Sequence, residues 1–174
     1  PRRIMDWHQN IRKFMNLDGQ IHVEVKGNSW GLACNSIHFM DLVSWWTGET
    51  LECIDISDLD QSWYESKRPG FWEINGSLKT KFSKGSTCNL SVLDENQTLE
   101  IKVKNGENEW IINELEGTAK QTNGIFIKGR NEFQSELSSR LVKNLLEAGT
   151  CELPTLIESI EMHRVFLHEM LTHW

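Results

Sequence analysis

One histidine stands in a stretch that is otherwise apolar and helical in pattern. In "GLACNSIHFMDLVSWWTGE", residues 31–49, His38 follows Cys34 by four residues, precedes Asp41 by three and is trailed by Trp45 and Trp46. Imidazole exchanges a proton near neutral pH, so His38 has the chemistry of a general acid or base. The same pattern also fits a core histidine satisfied inside the fold, and the residues alone leave both readings open. On a helix, Cys34, His38 and Asp41 or Leu42 lie on adjacent turns of one face. Asp41 then either orients the imidazole or bonds outward to solvent or a basic side chain. Asn35, at the start of that helix, is a cap or a hydrogen-bonding partner for substrate. Cys34 has no Cys/His pattern of the kind that activates a thiol nucleophile around it. Trp30, in the Gly/Asn/Ser loop before the helix, can stack on a sugar or a nicotinamide, or simply pack. Arg2, Arg3, Lys67 and Arg68 suit an anionic substrate or a solvated surface.

Other chemistries lack their residues. There is no G-x-G-x-x-G, no Walker loop and no G-x-S-x-G. Cys34, Cys53, Cys88 and Cys151 are scattered without zinc spacing and read as free thiols of a cytoplasmic protein. His163 and His168, five residues apart, do not stack on one helical face, so no metal site is expected.

The elements that must position these residues follow from periodicity. Ile4, Trp7, Ile11, Phe14 and Met15 have helical spacing, ending near the Asp-Gly turn of "NLDGQ". "IHVEVKG" alternates as a half-buried strand. A helix runs from about Asn35 to Trp46 and stops at Thr47-Gly48. "LECIDISDL" is a second strand. "GFWEINGSLKTKFSKG", "STCNLSVLD", "QTLEIKVKNG", "NEWIINEL" and "GTAKQTNGIFIKG" alternate at hairpin spacing and predict an antiparallel meander. "FQSELSSRLVKNLLEAG" is a helix with Phe133, Leu137, Leu141 and Leu145 as its stripe. The last segment opens on Pro154-Thr155 with Glu158 completing a capping box. Its predicted apolar face is Leu156, Ile160, His163 or Val165, Leu167 and Met170 or Leu171.

The fold class expected is α+β: one large, mostly antiparallel open sheet with helices on one face. Its other face is expected to be apolar and to need a cover, from a partner domain or a second subunit. The 174 residues and 39% hydrophobic content fit one domain. A formal charge of −7 argues against nucleic acid. No apolar run is long enough to span a bilayer, and no signal-peptide core opens the chain.

"CNSIHFMDLVSWWTGE" resembles the helix of the Gfo/Idh/MocA (glucose–fructose oxidoreductase and inositol dehydrogenase) family, Asp-x-Gly-x-His-x-x-Asp-Leu-x-x-Trp-x-x-Gly. His38, Asp41, Leu42, Trp45 and Gly48 match it. "LPTLIESIEMHRVFLHEMLTH" resembles the family's closing helix, and "PRRIMDWHQNIRKFM" its Arg-Arg-x-x-Pro-x-Tyr segment. The resemblance implies that residues 1–174 are the C-terminal α/β domain, for substrate binding and oligomerisation through the open sheet. NAD or NADP is then bound mainly by an N-terminal Rossmann domain outside this chain, which also carries the family's Glu-Lys-Pro lysine. His38 takes the catalytic position, with Trp30, Cys34, Asn35 and Arg3 on the substrate. The substrate implied is a sugar or sugar nucleotide, as in surface polysaccharide biosynthesis. The family's aspartate falls on Cys34 and its glycine on Ser36. That departure keeps a non-catalytic binding or scaffold domain of the same fold as the alternative.

Overall fold

The computed structural model describes residues 2–16, 19–92, 98–130 and 132–174. Asp18 of the expected "NLDGQ" turn and the end of "STCNLSVLD" lie outside them. A 3-10 turn, Arg2–Ile4, leads into α1, Asp6–Phe14, and then β1, Ile21–Gly27. The helix carrying His38, α2, spans Leu32–Thr47, one turn longer at its start than the pattern indicated. It stops where Gly48 turns left-handed, φ 69°, and its N–H returns to the Ser44 carbonyl. β2, Leu51–Leu59, follows, then two short strands, β3 (Tyr64–Glu65) and β4 (Trp72–Glu73). The remaining strands are β5 (Gly76–Phe82), β6 (Thr87–Val92), β7 (Glu100–Asn105), β8 (Asn108–Asn113), β9 (Thr118–Gln121) and β10 (Phe126–Lys128). Two helices close the chain, α3 (Gln134–Ala148) and α4 (Leu156–His173).

The fold is α+β, as expected, with an eight-stranded sheet in the order β10-β9-β8-β7-β1-β6-β5-β2. Two sequence expectations change. The segment "GFWEINGSLKTKFSKG" is divided: Trp72–Glu73 leaves the sheet to pair with Tyr64–Glu65, and Gly76 starts a new strand. The meander is also interrupted, because β1 inserts between β7 and β6 and runs parallel to β6. Alternation reveals a half-buried strand but not its neighbours. Here α2 carries the chain from central β1 to the edge strand β2, and β5 and β6 return beside β1.

Helices and core lie on one face of the sheet. Ile21, Val23 and Val25 of β1, Leu78 and Phe82 of β5, Leu90 of β6 and Val103 of β7 are buried there with Leu32, Phe39, Met40, Val43 and Trp46 of α2. The opposite face corrects the expectation of an apolar surface in need of cover. One row crosses all eight strands as Phe126, Lys120, Ile111, Lys102, Glu24, Asn89, Lys79 and Asp55. The next row brings together Lys104, His22, Thr87 and Lys81. Lysines and carboxylates share this face with Phe126 and Ile111, so it is mixed and largely charged rather than apolar.

The closing helices also differ from expectation. The capping box forms as read: Glu158 N–H donates to Thr155 Oγ1 at 3.2 Å and Thr155 N–H to Glu158 Oε2 at 2.6 Å. The face of α4 that packs is Met162, Phe166 and Met170, against β2 and α2. Leu156, Ile160, Leu167 and Leu171 of the expected stripe are exposed. The helix has apolar residues on two sides, and tertiary packing chose between them. In α3 only Leu137 of the expected stripe is buried, and Phe133 is the residue preceding the helix, 75% exposed. Among the described residues, no helix is long and apolar enough to cross a membrane.

The two sides of α4 predict different costs. Phe166→Ala should lower unfolding free energy by about 3–5 kcal/mol. Leu156→Ala should change it by about 0.5 kcal/mol or less. Denaturant midpoints of the two variants check this, and equal losses would show that the wrong face has been assigned to the core.

Candidate functional site

Site building starts with the N-terminus of α2. The first N–H groups of any helix lack intrahelical partners and carry partial positive charge. Here a carboxylate from elsewhere in the chain meets them. Glu73, at the end of β4 and only 6% exposed, accepts from Ala33 N–H at 2.9 Å and Cys34 N–H at 3.2 Å. Gly31 precedes the helix with φ +79°, and a Cβ there would lie 2.8 Å from Asn35 Nδ2 and 3.1 Å from Glu73 Oε1. Only glycine leaves room for the carboxylate in that backbone conformation.

The residues around this contact form a cavity of about 750 Å³. Trp30, Cys34, Asn35 and His38 line one side of it, and the β3–β4 hairpin lines the other with Tyr64, Lys67, Arg68 and Phe71. His38 lies almost two turns into α2, not at its start. Its pKa is lowered from the ordinary value, first by partial desolvation and then by the charge of Arg2. Asp41 opposes that shift without overcoming it, and His163 of α4 reinforces it. His38 is therefore a neutral imidazole at neutral pH, able to accept a proton.

Asp41 is committed elsewhere. It receives a bidentate pair from Arg3, with Nε at 3.0 Å and Nη2 at 2.5 Å. Arg3 is buried, also lies 3.5 Å from Glu158, and does not line the cavity. Its place is that of a strut between the chain's start, α2 and α4. Arg2 is tied down in the same way: Nε and Nη2 donate to Glu114 at 2.8 and 2.9 Å, and its guanidinium lies 3.9 Å from the centre of the Phe39 ring. Burial pushes the Glu114 carboxyl up, but hydrogen bonds and charge from buried His8 and from Arg2 outweigh it and hold the pKa at about 2.

Three other expected residues do meet in the cavity. Trp30 donates from Nε1 to the Ser91 carbonyl at 2.9 Å and sits edge-on to Phe39. Asn35 Nδ2 donates to the carbonyls of Trp30 at 2.7 Å and Gly31 at 3.2 Å, which leaves its own oxygen as an acceptor. The Cys34 thiol is raised to about 11 by its hydrogen bond to Glu73, by burial and by the Glu73 charge. It is a protonated donor and not a nucleophile.

Sequence reasoning missed Glu73 and Tyr64. Glu73 lies in a segment that was read as sheet and Tyr64 in one given no element, and no local pattern marks a carboxylate destined for a helix 40 residues away. Tyr64 Oη donates to Asn75 Oδ1 at 3.1 Å, and burial, then Glu73 and Asp60, raise its pKa, so it remains a phenol. The hairpin is anchored from behind by aromatic packing: Trp174 lies 5.2 Å from Trp63 and 5.3 Å from Trp72, ring centre to ring centre. Among the described residues no cluster of His, Cys, Asp or Glu could hold a metal ion.

A nicotinamide dinucleotide needs a place for its pyrophosphate, commonly a helix N-terminus after a strand. At the β-strand–loop–α-helix junction from β1 to α2, Glu73 already occupies that place. The N-terminus of α2 therefore does not fit the pyrophosphate of such a cofactor.

No family model and no curated protein matches the sequence. Solved structures match its fold over nearly the whole chain. UDP-N-acetylglucosamine 3-dehydrogenase GnnA from Acidithiobacillus ferrooxidans is 12% identical, covers 98% of this chain and 57% of its own, and has a TM-score of 0.65. Biliverdin reductase from Synechocystis sp. PCC 6803, in complex with biliverdin and NADP+, is 12% identical with coverage of 98% and 60% and a TM-score of 0.67. A super-repressor mutant of Gal80p from Saccharomyces cerevisiae is 8% identical with coverage of 99% and 61% and a TM-score of 0.65. The fold is thus that of the Gfo/Idh/MocA C-terminal domain, as the sequence resemblance implied. The chain spans about three-fifths of the length of these structures.

Glu73→Gln tests the helix contact. With Cys53 and Cys151 replaced by serine, alkylation of Cys34 should follow an apparent pKa of about 11, and Glu73→Gln should move it toward the ordinary 9.0. Stability should fall by about 0.5–2 kcal/mol, as for loss of a helix cap. A pH–rate profile unchanged by the substitution would contradict the contact.

Proposed function

We propose that residues 1–174 form the substrate-binding domain of an NAD(P)-dependent oxidoreductase that acts on a sugar or sugar nucleotide. The observation that carries this reading is the neutral, unpartnered His38 on the wall of a large polar and aromatic cavity. The fold shared with a sugar-nucleotide dehydrogenase and an NADP+-bound reductase supports it. The dinucleotide is held by a separate N-terminal Rossmann domain, which is this chain's first partner. It supplies the hydride acceptor.

This chain's own residues bind and deprotonate the substrate. Trp30 offers an apolar face to a sugar ring, and the Asn35 oxygen accepts from a hydroxyl. Cys34, its S–H held by Glu73, presents its sulfur to the substrate as a weak acceptor. His38 takes the proton of the hydroxyl whose carbon is oxidised. Arg3 acts one layer behind, fixing the start of the chain against Asp41 of α2. Self-association through the open sheet face would join lysines to carboxylates.

A second reading, a binding domain without turnover, is favoured by one observation: the position where the resemblance expects an aspartate carries Cys34, and that thiol stays uncharged. Turnover and one variant separate the two. In the product of the full reading frame, His38→Ala should lower kcat by about 10²–10⁴-fold with the fold intact. Because the active imidazole is neutral and its pKa is lowered, the acid limb of kcat/KM should lie below the ordinary 6.5. An unchanged rate in His38→Ala would sink the role of His38 as base, and absence of turnover in the unsubstituted product of the full reading frame would favour the second reading.

A further inference from the structure

We propose that Lys67 and Arg68 form an anion-binding subsite of the His38 cavity, and that the sugar entering it carries a phosphate or diphosphate away from the carbon that reacts. The inference rests on the reading of this cavity as a sugar site and adds the charge class of the sugar and the residues that select it.

Charge pairing within the fold singles out these two cations. The chain has other arginines near the cavity, but Arg2 is saturated by Glu114 and Arg3 by Asp41. Lys67 and Arg68 line the cavity and make no ion pair among the described residues. Two carboxylates, Glu65 and Glu73, also line the cavity, but both turn to backbone N–H groups and neither pairs with Lys67 or Arg68. Glu73 is held by Ala33 and Cys34, and Glu65 Oε1 accepts from Gly70 N–H at 2.9 Å. Arg68 is close enough for its charge to act on the Cys34 thiol across the cavity.

The hairpin tip holds Arg68 ready. Ser66 Oγ donates to the Arg68 carbonyl at 3.1 Å, and Arg68 N–H returns to Ser66 Oγ at 3.2 Å. Phe71 N–H also donates to the Arg68 carbonyl at 3.2 Å, and the guanidinium sits 5.2 Å from the centre of the Phe71 ring. A backbone fixed on three sides and a guanidinium braced by an aromatic ring lose little freedom when they bind an anion. The rest of the cavity is aromatic and hydroxyl-matched, with Trp30, Tyr64 and Asn35, as a sugar requires. A phosphoryl group is the anion with enough acceptors for both a guanidinium fork and an ammonium.

The test is calorimetric titration of the 174-residue chain at low ionic strength with inorganic pyrophosphate, UDP-glucose and NADPH. Pyrophosphate and UDP-glucose should bind, and the double variant Lys67→Ala/Arg68→Ala should weaken both by about tenfold or more. NADPH should show no binding that depends on these residues. Lys102→Ala/Lys104→Ala, on the open sheet face, is the control for unspecific attraction and should leave pyrophosphate binding unchanged. Three results would overturn the inference: no pyrophosphate binding at millimolar concentration, equal binding to wild type and double variant, or loss of NADPH binding in place of UDP-glucose binding. Failure of the oxidoreductase reading looks different. There, pyrophosphate binding still depends on Arg68, but the full reading-frame product turns over no sugar with either nicotinamide.

Discussion

The site depends on a carboxylate placed where a helix would otherwise attract an anion from solution. Glu73 takes the first free N–H groups of α2, and much follows from that contact. It docks the β3–β4 hairpin on the helix, so Tyr64, Lys67 and Arg68 face Trp30 and His38 across a cavity. It keeps Cys34 protonated. It also closes the β1–α2 junction to a dinucleotide pyrophosphate. A second carboxylate pins the other end of the helix. Glu49, 3% exposed, accepts from Lys84 N–H at 2.7 Å and from Ser86 N–H at 3.2 Å, so the helix that carries His38 is fixed at both ends.

Charge is partitioned with the same economy. The arginines at the start of the chain are neutralised inside the fold by Glu114 and Asp41, yet Arg2 still lowers the pKa of His38. Positive charge close to the imidazole and a thiol where an acid could have stood both favour the neutral base. Among the described residues lining the cavity, the cations are Lys67 and Arg68 of the hairpin tip, and neither is in an ion pair. A base at one wall and cations at the other make a site with direction.

Much of this was legible in the sequence because it is local. The alternation of β1, the Gly48 stop, the Thr155–Glu158 capping box and the His38 helix are periodic or punctuated features, and the fold of the Gfo/Idh/MocA C-terminal domain followed from motif resemblance at three places. What was not legible is non-local. The parallel pairing of β1 with β6 depends on which strands meet after a crossover. Glu73 acts on backbone groups far away in sequence. Asp41, three residues from His38, bonds to Arg3 because bidentate geometry with a guanidinium outweighs proximity along the helix. The expectation of an apolar open sheet face failed because the outward positions of β7, β5 and β9 are lysines. The alternation that identified those strands already contained them.

The central claim is that this chain holds the substrate and another domain holds the nicotinamide. Energy transfer from tryptophan to NADH or NADPH tests it most directly, measured on this chain and on the product of the full reading frame. The account predicts transfer only in the longer protein. Tight binding of either nucleotide by the 174-residue chain itself would contradict it.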